Sequence, residues 1–264
     1  MKFSSASEKK IQNQFLKKGY YIFNIRDKSG LNIIKNRFIK YSKTWLKKKS
    51  IKTKNTNLFL DNLHNHISVK DLNEFRMYVY NKINNSKDFQ KIYYNLGKDF
   101  IDVLCGNELV MQRKCNLSIQ LPNDDSSLLP LHADVWVGDS EYELVFWLPL
   151  VDVYKTKAMY ILSPEDNLKY SKKFSKFKST EQIFKKIENR LKWVKVNFGQ
   201  GLLFTQNLMH GNVINKEKST RISFNCRFKS AFSIYRDKEL GSFFMPITIK
   251  PTTILGMDYE FPDV

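Results

Sequence analysis

A chain of 264 residues with 42% hydrophobic and 14% aromatic side chains, and only 10 Gly and 7 Pro, has a globular composition and excludes a fibrous or disordered protein. Its 44 basic against 26 acidic side chains leave a formal charge of +18, which points to an anionic partner; nucleic acid, a nucleotide-linked substrate and a lipid surface all satisfy it. Because 36 of the basic residues are Lys and 8 are Arg, the excess says little about phosphate or base recognition, where the arginine fork is the effective group. Three cysteines, Cys105, Cys115 and Cys226, form no CxxC and no even set, so they read as small buried residues of a reducing compartment. No run of 18 apolar residues and no apolar signal segment occurs, and a cytoplasmic location is expected.

The first part of the chain reads as helical. Residues 7–18 form a short amphipathic stretch ending near Gly19, and residues 20–25 look like a strand. Residues 31–49 place Ile34, Phe38, Ile39, Trp45 and Leu46 near one helical face. Ser68 with Asp71 three positions on is a capping signal for a helix carrying Leu72, Phe75, Met77 and Val79. Another helix runs from about Lys87 to Gly106, a good position for a left-handed cap.

After Asn107 the texture changes to short β-like runs. Residues 108–121 alternate, with Gln112, Lys114, Asn116, Ser118 and Gln120 on one side and Met111, Cys115, Leu117 and Ile119 on the other. Further runs cover 142–149, 158–162, 193–196, 201–205 and 220–228, the spacing of a sandwich or barrel. A lysine-rich stretch at 164–190, with a helix from Thr180, interrupts them. With no internal repeat and no linker, the expected organisation is one domain over 1–264. It has a mostly helical N-terminal part (1–107), a β core (108–232) carrying the 164–190 insertion, and a C-terminal extension (233–264).

The chain has four histidines, so each can be weighed. His132-Ala133-Asp134 opens a strand after the loop at 122–130, and residues two apart on a strand point to the same side. His210 follows the run at 201–205 after a short turn and supplies a second imidazole. Two imidazoles and a carboxylate on one face of a metal leave three adjacent positions open; a 2-oxo acid chelates through two of them and O2 takes the third. Arg221 and Ser223 share one side of the last core strand, where a buried guanidinium needs either an internal salt bridge or a bound carboxylate. The far carboxylate of 2-oxoglutarate fits that role, with Ser223 as a second donor.

The order of His132-x-Asp134, the strand ending Trp147-Leu148-Pro149-Leu150, Gly201-Leu202-Leu203-Phe204, His210-Gly211 and Arg221-x-Ser223 resembles Fe(II)/2-oxoglutarate-dependent dioxygenases of the phytanoyl-CoA hydroxylase type. The fuller wording from His132 to Ser140, with Glu143 and 147–152 following, is similar to the branch of 2-oxoglutarate/Fe(II) oxygenases found in sporadic carbohydrate-biosynthesis clusters. The resemblance covers 107–229, and 15–25 faintly. It implies a mainly β core with flanking helices, a double-stranded β-helix (jelly roll, cupin-like) with a helical N-terminal part. It also implies Fe(II) held by His132, Asp134 and His210 as the catalytic and metal-binding residues, with 2-oxoglutarate on Arg221 and Ser223 and O2 as co-reactant. Residues 158–164 depart from the wider family's usual Pro-Gly-Ser-His turn, which concerns the substrate-pocket wall and not the metal ligands.

The resulting expectation is an oxidoreductase that hydroxylates or oxidises a small molecule, a sugar or nucleotide-linked sugar in carbohydrate or polysaccharide biosynthesis. Nucleic acid is disfavoured as a partner, and no membrane span is expected. The alternative is an AlkB-like nucleic-acid dealkylating dioxygenase, suggested by the spacing of Arg221 and Arg227 and by the basic charge. Three further readings stay double. Asn116, Ser118 and Gln120 either line the barrel or face solvent. Lysines 169, 172, 173, 176, 178, 185 and 186 either cover the site or coat a solvated helix face. His64-Asn65-His66, with no supporting ligands nearby, reads as a plain loop against a second metal site or a nuclease motif.

Overall fold

The computed structural model describes residues 3–52 and 58–262. Helix α1 (Ala6–Lys18) starts at a Ser5–Glu8 capping box and stops at Gly19, whose φ of 76° gives the chain a left-handed cap. Strand β1 (Tyr20–Asn24), helix α2 (Lys28–Lys48), helix α3 (Val69–Asn84) and helix α4 (Phe89–Cys105) follow. Ser68 caps α3 by accepting from the Asp71 N–H, as its spacing predicts. Two details differ from the sequence reading. Met77 lies on the open side of α3 and is 45% exposed, because its position falls outside the stripe made by Leu72, Phe75 and Val79. Gly106 has φ 99° but ψ −175°, so it turns the chain directly into extended backbone instead of closing a left-handed cap.

The β region comprises β2 (Leu109–Gln112), β3 (Asn116–Gln120), β4 (Leu144–Pro149), β5 (Tyr160–Ile161), β6 (Lys192–Trp193), β7 (Gln200–Thr205), β8 (His210–Gly211), β9 (Arg221–Ser230) and β10 (Phe244–Thr248). Helices α5 (Pro164–Ser171) and α6 (Thr180–Ile187) lie between β5 and β6, and α7 (Pro251–Met257) follows β10. A seven-stranded sheet has the order β1-β7-β4-β9-β2-β10 with β3 also on β9, and a three-stranded sheet has the order β6-β5-β8. All pairings between these strands are antiparallel. This is the mainly β, jelly-roll core with flanking helices that the sequence predicts.

Three strand assignments change. The alternating run at 108–121 is one line along β9 interrupted by extra residues: Met111 pairs with Phe228 and Asn116 with Asn225. Five steps on one strand against three on the other make a two-residue bulge, which preserves parity, so the two faces read from the sequence survive it. Strand β1, from the helical N-terminal part, joins the large sheet beside β7. Strand β10, within the expected C-terminal extension, pairs with β2 and was invisible as a strand because Pro246 and a register shift break its pattern.

The large sheet packs its outer face on α2, α3 and α4. Phe224 stands edge-on to Phe38 and Phe89, Phe146 lies against Tyr93, and the buried Tyr93 hydroxyl donates to the Phe146 carbonyl at 2.7 Å. A second core joins Leu131, Tyr160, Leu162 and Met209 to Tyr170, Ile183 and Ile187 of the inserted segment. Helices α5 and α6 therefore lie on the outside of the small sheet, and all seven lysines of the segment are exposed. The solvated-face reading is the one the fold bears out. The thiols of Cys105, Cys115 and Cys226 are free, the last two fully buried. Among the described residues, no helix is long and apolar enough to cross a membrane.

Phe224→Ala should destabilise the protein by roughly 3–5 kcal/mol, through the lost aromatic surface and the cavity left between β9 and two helices. Urea unfolding at unchanged slope checks this.

Candidate metal centre

His132 and His210 face each other across an antiparallel bridge in which each backbone N–H donates to the other's carbonyl, at 2.9 and 2.8 Å. Their rings are 4.3 Å apart. His132 is a single bridging residue and not the start of a strand: Ala133 is extended, and Asp134 begins a 3-10 turn over Asp134–Val137. One extended residue between His132 and Asp134 still turns both side chains to the same side, so they converge as the sequence reading requires. Asp134 is fixed by its own N–H, which donates to the Gln206 carbonyl at 3.2 Å.

Both imidazoles are oriented in the same way. Nδ1 of His132 donates to the Pro130 carbonyl at 2.7 Å and Nδ1 of His210 to the Leu208 carbonyl at 2.8 Å, in each case two residues back. A carbonyl only accepts, so the proton is on Nδ1 and the Nε2 lone pair is presented. Both Nε2 atoms look toward Asp134 Oδ1, at 3.2 Å from His132 and 3.8 Å from His210. One ligand atom from each of the three residues falls within 4.8 Å of the others, the sole such group of three His, Cys, Asp or Glu among the described residues. The donor set, two neutral nitrogens and a carboxylate, suits Fe(II).

The charges of the three groups follow from burial and proximity. Burial drives the His210 imidazole down to about 4, so it stays neutral. Burial also lowers His132, but the Asp134 carboxylate and the Pro130 carbonyl outweigh it and leave its imidazole above the usual value. Burial raises Asp134, yet the neighbouring His132 imidazole and the Arg227 guanidinium hold it well below the ordinary carboxylate range.

A residue outside the predicted site completes it. Arg227 donates to the second oxygen of Asp134, Oδ2, at 3.1 Å and to Gln206 Oε1 at 3.0 Å. It also lies within ion-pair distance of buried Asp139 and Glu143. Gln206 in turn donates to Glu143 Oε2 at 2.8 Å, Glu143 accepts from the Ser140 N–H at 2.9 Å, and Lys238 pairs with Asp139. The signal for this network is Asp139, Ser140 and Glu143 of the extended motif, whose role depends on Arg227 and Gln206 from distant segments.

Arg221 is 3% exposed on β9. Its Nη2 donates to Ser118 Oγ at 3.2 Å, while among the described residues its Nε has no partner and no carboxylate is paired with it; burial alone lowers its guanidinium to about 10. Ser223 Oγ and Gln120 Oε1 nearby are likewise buried and unpartnered. The internal salt bridge that would have explained Arg221 is thus not formed. The register aligns Gln120 with Arg221, Ser118 with Ser223 and Asn116 with Asn225, so these polar residues face into the barrel. A cavity of about 230 Å³ joins the two halves, lined among others by Asn116, Ser118, Trp147, His132, Asp134, His210, Arg221 and Arg227. Trp147 belongs to the core as expected and also forms part of this wall.

Gly211 follows His210 because a Cβ there would lie 2.7 Å from the Leu129 carbonyl and 2.5 Å from the Tyr160 hydroxyl. His64 sits in a short 3-10 turn, its N–H and Nδ1 each 3.1 Å from Thr220 Oγ1, and His66 stacks on Phe59. They form neither a second metal site nor a nuclease motif.

Arg227→Met should weaken Co(II) or Ni(II) binding about 10–100-fold, because Asp134 loses the group that orients it. Arg227→Lys should recover only part of this, since an ammonium lacks the fork. Metal titration of the apoprotein measures both.

No protein-family model and no curated protein matches the sequence. Among solved structures, the chain is similar to the nickel complex of ThoJ, a non-heme monooxygenase, at 14% identity and TM-score 0.56, over 90% of this chain and 84% of that one. It is also similar to EctD from S. alaskensis with 2-oxoglutarate and 5-hydroxyectoine, at 13% identity and TM-score 0.52, over 86% and 76% of the two chains. At these identities the likeness is one of fold: the chain shares the architecture of a non-heme monooxygenase and of a 2-oxoglutarate-binding protein.

Proposed function

We propose that this protein is a non-haem Fe(II)/2-oxoglutarate-dependent oxygenase, with Fe(II) on His132, Asp134 and His210 and the cosubstrate's far carboxylate on Arg221 and Ser223. The observation that carries the reading is one cavity with two complementary ends. A 2-His-1-carboxylate cluster stands at one end, and a buried guanidinium without a carboxylate partner at the other. Two orphaned polar atoms, Arg221 Nε on the cavity wall and Ser223 Oγ on the same face of β9, fit a carboxylate as acceptor.

Iron with 2-oxoglutarate and O2 supplies the oxidation of an unactivated C–H bond, with succinate and CO2 as co-products. The chain's own residues supply position and protection. The two Nδ1–H bonds to backbone carbonyls keep both Nε2 atoms available, and Arg227 keeps Asp134 Oδ1 turned toward them. Ser118 and Arg221 fix the depth to which a 2-oxo acid enters, and Trp147, Val145, Phe204 and Met159 keep the cavity wall apolar around it. The finer reading, a sugar or nucleotide-linked sugar as the molecule oxidised, is supported by the motif resemblance. No observation favours the AlkB-like alternative, since Arg227, whose spacing suggested it, is engaged by Asp134, Asp139 and Gln206.

With Fe(II) and ascorbate under air, the protein should convert 2-oxoglutarate to succinate at a slow substrate-independent rate that His132→Ala abolishes. Arg221→Met should raise the Kd for 2-oxoglutarate at least 100-fold while leaving Ni(II) affinity within about threefold, since a buried charge-assisted pair contributes about 3 kcal/mol or more. Quenching of Trp147 fluorescence reports the binding. Equal affinity of wild type and Arg221→Met would remove the cosubstrate assignment.

A further inference from the structure

The metal cavity does not end at its own walls. A second cavity of about 520 Å³ lies between α3 and the loop at 122–131, and shares Asn116, Ser118, Leu129 and Asn225 with the first. Those four residues form the junction. The outer wall is made by Arg76, Met77 and Tyr80 of α3 and by Ser126, Ser127 and Leu128 of the loop. This cavity has an electrostatic sign. Among its lining residues, Arg76 is the one with a formal charge. Among the described residues its guanidinium is bonded to the neutral Asn73, at 2.8 Å, and to no carboxylate. Asp124, in the loop behind, is turned to the N–H and hydroxyl of Ser126, at 3.0 and 2.8 Å. Ser127 Oγ is buried on the same wall without a hydrogen-bond partner.

At the junction, a chain of amides fixes which end of Asn225 faces the opening. The Arg227 backbone N–H must donate, and it donates to Gln112 Oε1 at 3.3 Å. Gln112 Nε2 then donates to Asn116 Oδ1 at 3.2 Å, and Asn116 Nδ2 to Asn225 Oδ1 at 3.0 Å. Each step sets the orientation of the next amide, which neither residue could fix alone. The relay uses up the acceptor of Asn225 and leaves its Nδ2–H2 as the donor at the mouth of the metal cavity.

We infer that the cavity between α3 and the 122–131 loop is the subsite for the oxidised substrate, and that this substrate is an anion. Arg76 reads its carboxylate, phosphate or sulfate group at the outer end, and Asn225 donates to an acceptor oxygen at the inner end. The inference rests on the oxygenase reading for the identity of the metal cavity. It places anion selection on α3, not on the exposed lysines of 164–190.

Charged thiol reagents test this without knowledge of the substrate. Met77, 45% exposed, lines this cavity and not the metal cavity, and Met77→Cys offers a reactive probe beside Arg76. Its labelling rate is measured with an anionic (2-sulfonatoethyl) and a cationic (2-trimethylammonioethyl) methanethiosulfonate, after subtracting the rate of the parent chain with its three native cysteines. Each reagent's rate is referred to its rate with free cysteine. The anionic reagent should then react at least about tenfold faster than the cationic one, as a cavity of one sign concentrates counter-ions. Adding Arg76→Gln should cut that ratio at least threefold, and Arg76→Lys should retain it. In the labelled Met77→Cys protein, 2-oxoglutarate should still quench tryptophan fluorescence with a Kd within about threefold of the unlabelled one, because the label occupies the neighbouring cavity. A ratio near unity, or one indifferent to residue 76, overturns the anion assignment. Loss of 2-oxoglutarate binding on labelling overturns the separation of the two subsites. Failure of the unlabelled protein to bind 2-oxoglutarate instead counts against the oxygenase reading, and the rate ratio still decides the sign of the pocket.

Discussion

Strand β9 imposes the constraint on which the site depends. Along its ten residues, Ile222, Phe224, Cys226 and Phe228 face the helices, while Arg221, Ser223, Asn225 and Arg227 face the barrel. The outward set is held by aromatic contacts with α2 and α4, and the strand period of two then leaves no choice for the inward set. A slip of one residue would bury the arginines against Phe38 and Phe89 and turn four apolar side chains into the cavity. The helical N-terminal part thus sets the register of both guanidiniums, although none of its residues lines the metal cavity.

The two arginines of β9 are equally interior but electrostatically opposite. Arg227 is surrounded by Asp134, Asp139 and Glu143, with Lys238 pairing off part of the acidic excess. Burial raises Glu143 above its usual value, the mark of a carboxylate held in a crowded acidic pair with Asp139. Arg221 has a serine and no carboxylate. A guanidinium out of water without a counter-charge is costly, so the free protein carries a penalty at Arg221 that an anion of suitable length relieves. Binding and folding are linked through that residue: whatever carboxylate occupies the site stabilises the native state in proportion to its saturation.

How much of this was legible depends on whether a residue's role lies in its own pattern or in its neighbours. His132, Asp134, His210, Arg221 and Ser223 could be picked out because the motif spacings are local and because period-two alternation survives even the bulge between β2 and β3. Ser68 could be read as a cap because the hydrogen bond spans three residues. Arg227 was visible as a basic residue six positions after Arg221, but its function comes from Asp139, Glu143 and Gln206, which reach it from two other segments. The same holds for Asn225, whose orientation is decided by Gln112 across a strand pair. Strand β10 was missed because Pro246 breaks its pattern; helix α5 was missed although Ser163, Pro164 and Asp166 form a helix start, because its eight residues bury one side chain, Tyr170. The location of 164–190 was undetermined because its amphipathic face, Tyr170, Ile183 and Ile187, needed the outer side of the small sheet to be known.

The proposed ligands are held by two mechanisms that differ in their dependence on sequence. The imidazoles take their orientation from backbone: each Nδ1 donates to the carbonyl two residues earlier, and the pair of chains is tied by reciprocal N–H to carbonyl bonds between His132 and His210. Once histidine stands at both positions, the backbone pairing alone supplies the partners of all four hydrogen bonds, so this half of the site rests on topology. The carboxylate is oriented by side chains instead, through Arg227 and the acidic residues behind it. That half requires several positions to change together, because removing Glu143 or Asp139 alone leaves a buried guanidinium under-compensated. Substitutions are therefore expected to alter the site mainly through what surrounds Asp134 and least through the backbone pairing at the histidine bridge, which the topology itself maintains.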